Sequence, residues 1–287
     1  MKELIVVAGP TASGKSDFAV ELALKNNGEI ISCDSRQVYK GLDIGTGKIT
    51  KDEMKGVKHY MLDIYNIGED VNVSDFATRA IEIIEDIFER GKVPILCGGT
   101  GQYIQAIIYE DTFAKVEPNK KLRDELENMS LEELNMRLEK SDKERLKNID
   151  TKNKRRLVRA IEIAETIGKV PVLDKPKLRY KTKIYLMEKT REELRKHIEA
   201  RLTARLAIGM LEEGKIVADF ILRKFEGKND KNVLIEEKLK KLGIEYFYMN
   251  KYLKKEITED EMKKEIINKS YQYAKRQMTW NKKYLPN

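Results

Sequence analysis

Residues Gly9 to Ser16 read GPTASGKS, and Leu4 to Ala8 directly before them read LIVVA. A short apolar run closed by Gly-Pro predicts a buried strand. Ser16 to Lys25 predicts a helix, with Phe18, Leu22 and Leu24 as candidate packing residues. The octet satisfies GxxxxGK[ST] in the strand–loop–helix context that this motif requires. Such a loop turns backbone N–H groups and a helix N-terminus toward phosphoryl oxygens. Gly9, Pro10, Thr11, Ala12, Ser13, Gly14, Lys15 and Ser16 therefore form a candidate polyphosphate cradle. Lys15 supplies positive charge and Ser16 is the candidate ligand for Mg²⁺. The motif fits the phosphates of ATP and a diphosphate ester equally well.

Working outward, Glu29 to Cys33 predicts a second short strand and His59 to Ile64 a weaker third. Ser74 is the expected N-cap of a helix to about Arg90 carrying Phe76, Ala80, Ile83, Ile84 and Ile87. Val93 to Cys97 predicts another strand, followed by GGTGQY and a helix from about Gln102. Alternating short apolar strands and helices imply an α/β fold with a parallel sheet flanked by helices. Glu117 to Ser141 changes character and predicts a charged, helical insertion. Asn153 to Ile167 is an amphipathic helix, Lys183 to Met187 a last strand, and Thr190 opens a helix expected to run to about Glu213.

The chain of 287 residues has room for one large domain and a smaller one. It is 41% hydrophobic with a net charge of +8 on a background rich in both signs. That balance permits nucleic-acid binding without requiring it. Cys33 and Cys97 both end apolar runs and are expected as buried, reduced thiols. Two cysteines and two histidines, widely spaced, do not match a zinc-site pattern. No apolar run approaches membrane-spanning length, so a soluble cytoplasmic protein is expected.

Ligands of parallel sheets gather at the C-terminal strand ends. Asp34 stands at such an end, followed by Ser35, Arg36 and Gln37. It reads either as a base facing the group that attacks a phosphorylated ligand, or as the cap of the next turn. The strand ending at Cys97 leads into Gly98-Gly99-Thr100 without an acid, which weakens an ATPase reading; Asp63 is the alternative acid. Thr100 either touches a transferred group or caps the next helix. TKNKRRLVR, residues 151–159, has five basic residues and no acid, and Arg155, Arg156 and Arg159 share one side of a helix. They read as phosphate contacts or as a solvated face. Between Lys263 and Lys283 seven basic residues face one acid, Glu265, with Tyr271, Tyr273 and Trp280 interleaved. These aromatics either stack on nucleic acid or dock the last helix on the core.

GPTASGKS, SCDSRQVYKGLDIGTGK, HYMLDI, VSDF, GKVPILCGGTGQYIQAI, NKRRLVRAIE and YAKRQMTW occur in that order along nearly the whole chain. In this set the chain resembles the bacterial tRNA dimethylallyltransferases, also called tRNA isopentenyltransferases. The resemblance implies a P-loop NTPase-like core with a small helical insertion that contacts the anticodon stem-loop. It implies transfer of a dimethylallyl group from dimethylallyl diphosphate to N6 of adenosine 37 in tRNA, with Mg²⁺ as cofactor. By motif, Asp34 would be the general base, with Thr11, Thr100 and Arg123 beside it in catalysis. Gly9 to Ser16 and Arg205 would hold the diphosphate. Asp34, Ser35, Arg36, Gln37, Thr100, Arg123, Arg155, Arg156, Leu157, Val158 and Arg159 would meet the tRNA. The expected division is 1–114 for the first part of the core, 115–148 for the insertion and 149–287 for the remainder. A monomer without an obligate protein partner is expected. The alternatives are a small-molecule or nucleoside kinase, an isopentenyltransferase acting on free adenine nucleotide, and a non-catalytic RNA-binding P-loop protein.

If tRNA is the partner, log K for binding falls linearly with log salt, by roughly 0.7–0.9 per phosphate neutralised. Filter binding across a salt series measures that slope.

Overall fold

The computed structural model describes residues 2–110, 114, 116–171 and 177–285. In chain order the elements are β1 (Glu3–Ala8), α1 (Lys15–Lys25), β2 (Gly28–Ser32), α2 (Lys51–Met54), β3 (His59–Tyr60), α3 (Val73–Glu89), β4 (Val93–Gly98) and α4 (Gly101–Ile108). There follow α5 (Lys120–Glu127), α6 (Leu131–Ser141), α7 (Lys143–Lys147), α8 (Lys154–Ile167), β5 (Lys181–Leu186), α9 (Arg191–Ala207), α10 (Met210–Lys224), α11 (Lys231–Leu242), α12 (Ile244–Leu253) and α13 (Glu259–Tyr284).

The strands form one parallel sheet in the order β3-β2-β4-β1-β5. Both faces are apolar. Ile5, Val7, Ile30, Ile95 and Cys97 pack with Ala19, Val20 and Ala23 of α1. Leu4, Val6, Ile31 and Leu96 alternate with them and are also fully buried. The packing face of α1 is thus its small residues. Phe18 and Leu22 are half-buried, and Leu24, expected to pack, points outward at 56% exposure.

Several boundaries depart from expectation for local reasons. The third strand stops after two residues, because Met61 and Asp63 take left-handed φ values of 63° and 54° that no ladder accommodates. Helix α3 starts two residues early, since Asn72 rather than Ser74 caps it by accepting from Asp75 N at 2.9 Å. The long helix from Thr190 breaks at Gly209, whose φ of 102° separates α9 from α10. Thr190 and Glu193 form the capping box that starts it.

The chain divides into two compact units, residues 1–108 with 178–287, and residues 109–177. The second is wider than the expected 115–148, and Lys115, where that segment was expected to begin, lies outside the described residues. The reason is α8. Its Leu157, Val158, Ala160 and Ile161 supply the apolar face on which Leu126 of α5 and Leu134 and Leu138 of α6 pack. Helices α5 and α6 alone could not close a core. Beside this core, buried Glu162 accepts from Arg123 Nε at 2.8 Å and Nη2 at 2.7 Å, from Asn119 N at 2.7 Å, and from Arg159.

In the larger unit, buried Glu29 accepts from Arg90 at 2.6 and 2.8 Å, Lys92 at 2.7 Å and Tyr60 at 2.8 Å. The Arg90 bonds, against the upward push of burial and helped by Lys92 and Tyr60, hold the carboxyl at about 2, down from 4.5. A depressed folded-state pKa stabilises above the unfolded value and is lost as pH falls toward the folded one. Urea melts of wild type and Glu29→Gln should therefore differ most above pH 4.5 and converge toward pH 2.

Candidate active site

Three loops leave adjacent strands at one edge of the sheet. Because β4 lies between β2 and β1, the turn after β4 lies between the Asp34 turn and the phosphate loop. The register brings Ala8 beside Gly98 and Ser32 beside Cys97. The ends touch: Cys33 N donates to Cys97 O at 2.7 Å, and Thr100 N to Cys33 O at 3.3 Å. A Cβ on Gly98 would stand 2.1 Å from the Cys33 carbonyl oxygen, so only glycine fits there. Both cysteines are buried and free.

Asp34 Oδ1 accepts from Arg36 N at 2.8 Å and Gln37 N at 3.4 Å. The acid does cap its turn, and that fixes its carboxylate. Oδ2 makes no protein hydrogen bond among the described residues. Thr100 Oγ1 accepts from Ser35 N at 3.3 Å, so it ties the β4 turn to the Asp34 turn instead of capping α4. The Gln37 amide, expected to meet the tRNA, accepts from Ser32 Oγ at 3.1 Å and donates to Gly47 O at 3.1 Å. Its side chain holds the wall of the site. Asp63 pairs with Lys48 at 2.5 Å and is not among the residues lining the cavity.

The cavity has a volume of about 430 Å³ and is lined by Thr11 to Asp17, Asp34, Gln37, Gly98, His197 and Arg201, among others. Helix α9 faces the phosphate loop through residues four apart. His197 Nδ1 lies 3.2 Å from Ala12 O, Arg201 donates to Thr11 Oγ1 at 3.2 Å, and Arg205 donates to Gly45 O at 3.3 Å. Ala12 packs with Leu194 and Ile198 of α9 and Ala274 of α13, which holds those helices in place. Burial and the neighbouring Arg205 push Arg201 down to about 10, and burial likewise lowers Arg205 and Lys15. Lys15 and Arg201 line this cavity and Arg205 neighbours Arg201; desolvated like charges disfavour one another, and a multiply charged anion reverses this.

The sequence reading found Arg205 through its motif but missed Arg201 and His197. Their signal was present: positions 197, 201 and 205 share one face of a helix. It also missed Glu213 of α10. That carboxylate accepts from Asp43 N at 2.9 Å, Ile44 N at 2.8 Å and Gly45 N at 2.8 Å, and from Tyr246 OH at 2.7 Å. It thereby orders the loop against which Arg205 rests.

The basic segments divide. In the helical unit, Arg155 and Arg156 are exposed, whereas Arg123 and Arg159 are engaged by Glu162. Leu157 and Val158, expected at the tRNA, are buried at 0% and 5% exposure and serve that unit's core instead. On α13, Tyr271 packs against the Ala12 cluster and Trp280 against Gly101, so these aromatics dock the helix on the core. Lys275 and Arg276 of the same helix are exposed. Among the described residues no group of His, Cys, Asp and Glu forms a metal cluster, and no helix is long and apolar enough to cross a membrane.

A phosphate loop, a fixed acid and a glycine-rich strand end sharing one cavity define a P-loop protein that brings a polyphosphate ester to a second reactant. A family model described as IPP transferase matches residues 37–284. A tRNA dimethylallyltransferase of Thermoanaerobacter sp. (strain X514) is 37% identical over 299 residues, covering 98% of this chain and 89% of that protein. The crystal structure of a tRNA delta(2)-isopentenylpyrophosphate transferase from Staphylococcus epidermidis is 34% identical with a TM-score of 0.68, covering 100% of this chain and 92% of that one. A eukaryotic dimethylallyltransferase acting on tRNA superposes with a TM-score of 0.83 at 27% identity, covering 98% and 70%. The chain belongs to the IPP transferase family.

Replacing Glu213 with Ala removes a charged acceptor from three backbone donors, at a cost of roughly 1–3 kcal/mol. The amides of Asp43, Ile44 and Gly45 should then exchange faster in hydrogen-exchange measurements, and inorganic diphosphate should bind more weakly.

Proposed function

We propose that this chain transfers a dimethylallyl group from dimethylallyl diphosphate to N6 of adenosine 37 in tRNA and releases diphosphate. The observation that carries the reading is the shared cavity in which the phosphate loop, Asp34 and the acid-free β4 end meet. Family membership supplies the reaction class.

The adenine N6 lone pair is delocalised into the ring, so the amine is a poor nucleophile. The allylic carbon compensates, because it tolerates positive charge as its bond to the diphosphate oxygen breaks. Negative charge then grows on the leaving diphosphate. Backbone N–H groups of Ala12 to Ser16, together with Lys15, Arg201 and Arg205, stabilise it there. The cluster of desolvated cations gains most from that charge. As the N6–carbon bond forms, the amine becomes acidic and Asp34 Oδ2 takes its proton. Thr100, bonded to the Asp34 turn, lies beside the transfer point. Thr11, held by Arg201, faces the diphosphate.

Mg²⁺ fits this donor set. The Ser16 hydroxyl is exposed in the cavity lining, beside Lys15 and the phosphate-loop backbone. When bound, the ion adds positive charge at the diphosphate oxygens. Ser16 would hold it together with the phosphates themselves, which is the usual mode for a small hard cation.

The target base must leave the stacked anticodon loop to reach the cavity. Arg155 and Arg156, exposed on α8, suit phosphate contacts to the anticodon stem-loop, and so, in the other unit, do Lys275 and Arg276 on α13. Residues 115–148 belong to the unit we assign to tRNA contact. Arg123, held by Glu162 within that unit, enters as a tRNA contact and as the catalytic arginine that the resemblance implies. One chain supplies the phosphate loop, Asp34 and Thr100 together, which favours a monomer. A tRNA substrate and two reduced thiols favour the cytoplasm.

The test is transfer of radiolabelled dimethylallyl diphosphate, with Mg²⁺, to undermodified bulk tRNA and in parallel to AMP, with ATP consumption followed separately. Label in tRNA is the expected result. Label in AMP alone identifies a free-nucleotide enzyme, and ADP without label a kinase. Asp34→Ala should lower kcat about 10²–10⁴-fold while leaving tRNA affinity in filter binding essentially intact. Equal loss of both would remove Asp34 from the role of base.

A further inference from the structure

Past the last paired residues of β1 and β4, Ala8 and Gly98, one buried side chain bridges the two loops that follow. Gln277 of α13 is 7% exposed. Its Oε1 accepts from Thr11 N at 2.9 Å and its Nε2 donates to Gly99 O at 2.9 Å. The two partners have opposite polarity, so the amide has one orientation only. A flipped amide would set donor against donor and acceptor against acceptor. The fit is close: a Cβ on Gly99 would stand 2.2 Å from Nε2.

Gln277 is the centre of a row. Tyr273, one turn earlier, lies beside the Thr100 side chain. Trp280, one turn later, covers Gly101, where a Cβ would meet its ring at 2.0 Å. Gly99, Thr100 and Gly101, successive at the junction of β4 and α4, are thus each met by one residue of α13. Of these three α13 residues, Gln277 also bonds to the phosphate loop.

We propose that Gln277 is a positioning residue for prenyl transfer: it sets the spacing between the loop that holds the leaving diphosphate and the turn that carries Thr100. The inference rests on the transferase reading above. In the transfer, the allylic carbon moves from a diphosphate oxygen anchored on one loop to an amine presented beside the other. Its path is as long as the gap between those loops. A misplacement of about 1 Å in such a geometry can cost about 10²-fold in rate.

The test compares wild type with two variants of the full chain. Gln277→Met keeps the volume and removes both hydrogen bonds. Gln277→Glu keeps the acceptor for Thr11 N and sets an acceptor against Gly99 O. The measurements are kcat and KM for dimethylallyl diphosphate and for undermodified tRNA, the affinity for inorganic diphosphate, and Tm. In Gln277→Met we expect kcat to fall roughly 10–100-fold, with tRNA affinity and diphosphate affinity little changed. Gln277→Glu should retain an intermediate kcat, and it decides the matter should the Met variant fail to fold. A lowered Tm with kcat retained would make Gln277 a packing residue and overturn the proposal. Loss of diphosphate affinity at unchanged kcat would confine it to the phosphate loop and overturn it equally. An inactive wild type overturns the function and this inference with it. An active wild type whose kcat survives both substitutions overturns this inference alone.

Discussion

The close approach of β4 to its two neighbours is the constraint on which the site depends. Gly98 lets the Cys33 carbonyl come nearer than any side chain would allow. That approach permits the Cys33–Cys97 and Thr100–Cys33 backbone bonds. Those bonds in turn put Ser35 within reach of the Thr100 hydroxyl. A Cβ at 98 would spread the strand ends and carry Asp34 away from Thr100. The acid, the hydroxyl and the phosphate loop are near one another because the sheet narrows there, and no catalytic residue has to reach far.

A second layer holds the charge. Lys15, Arg201 and Arg205 are crowded and partly desolvated, an arrangement that costs folding energy unless something else fixes it. The Ala12 cluster with α9 and α13 does so by apolar contact, and Glu213 does so for the facing loop by binding its backbone directly. Buried Tyr246 donates to the same carboxylate, and burial keeps its hydroxyl protonated well above the usual range. The helical unit shows the reverse arrangement. There one buried carboxylate, Glu162, draws in two arginines and leaves Arg155 and Arg156 to the solvent.

Much of this was legible in order along the chain. The phosphate loop, the strands before Gly9, Asp34 and Gly98, and the capping box at Thr190 are written in contiguous residues whose local chemistry decides their conformation. Failures came where a distant partner decides. Leu157 and Val158 illustrate it: they lie within a basic run, yet the periodicity of α8 turns them inward. Arg123 and Arg159 read as free charge until Glu162 is placed between them. The short β3 depends on the positive φ of Met61 and Asp63, which non-glycine residues seldom announce. Gly209 sat inside a helical pattern that tolerates a glycine, so the break between α9 and α10 was invisible. Gln277 stood inside the YAKRQMTW motif, yet its bridging role was not legible there, because an amide acquires meaning only from the two backbone atoms it meets.

The Thr11–Gln277 bond closes a separation of 266 residues. Synthesis runs from the N-terminus, and early segments begin to fold as they emerge. The phosphate loop is among the first parts of this chain to be made, yet its clamp arrives after every strand of the sheet and the whole helical unit. The strand before the loop finds its two neighbours only when β4 and β5 have been made, and the clamp is made later still. The loop's place in the sheet and its spacing from the β4 turn are thus encoded far apart and completed at different stages of synthesis.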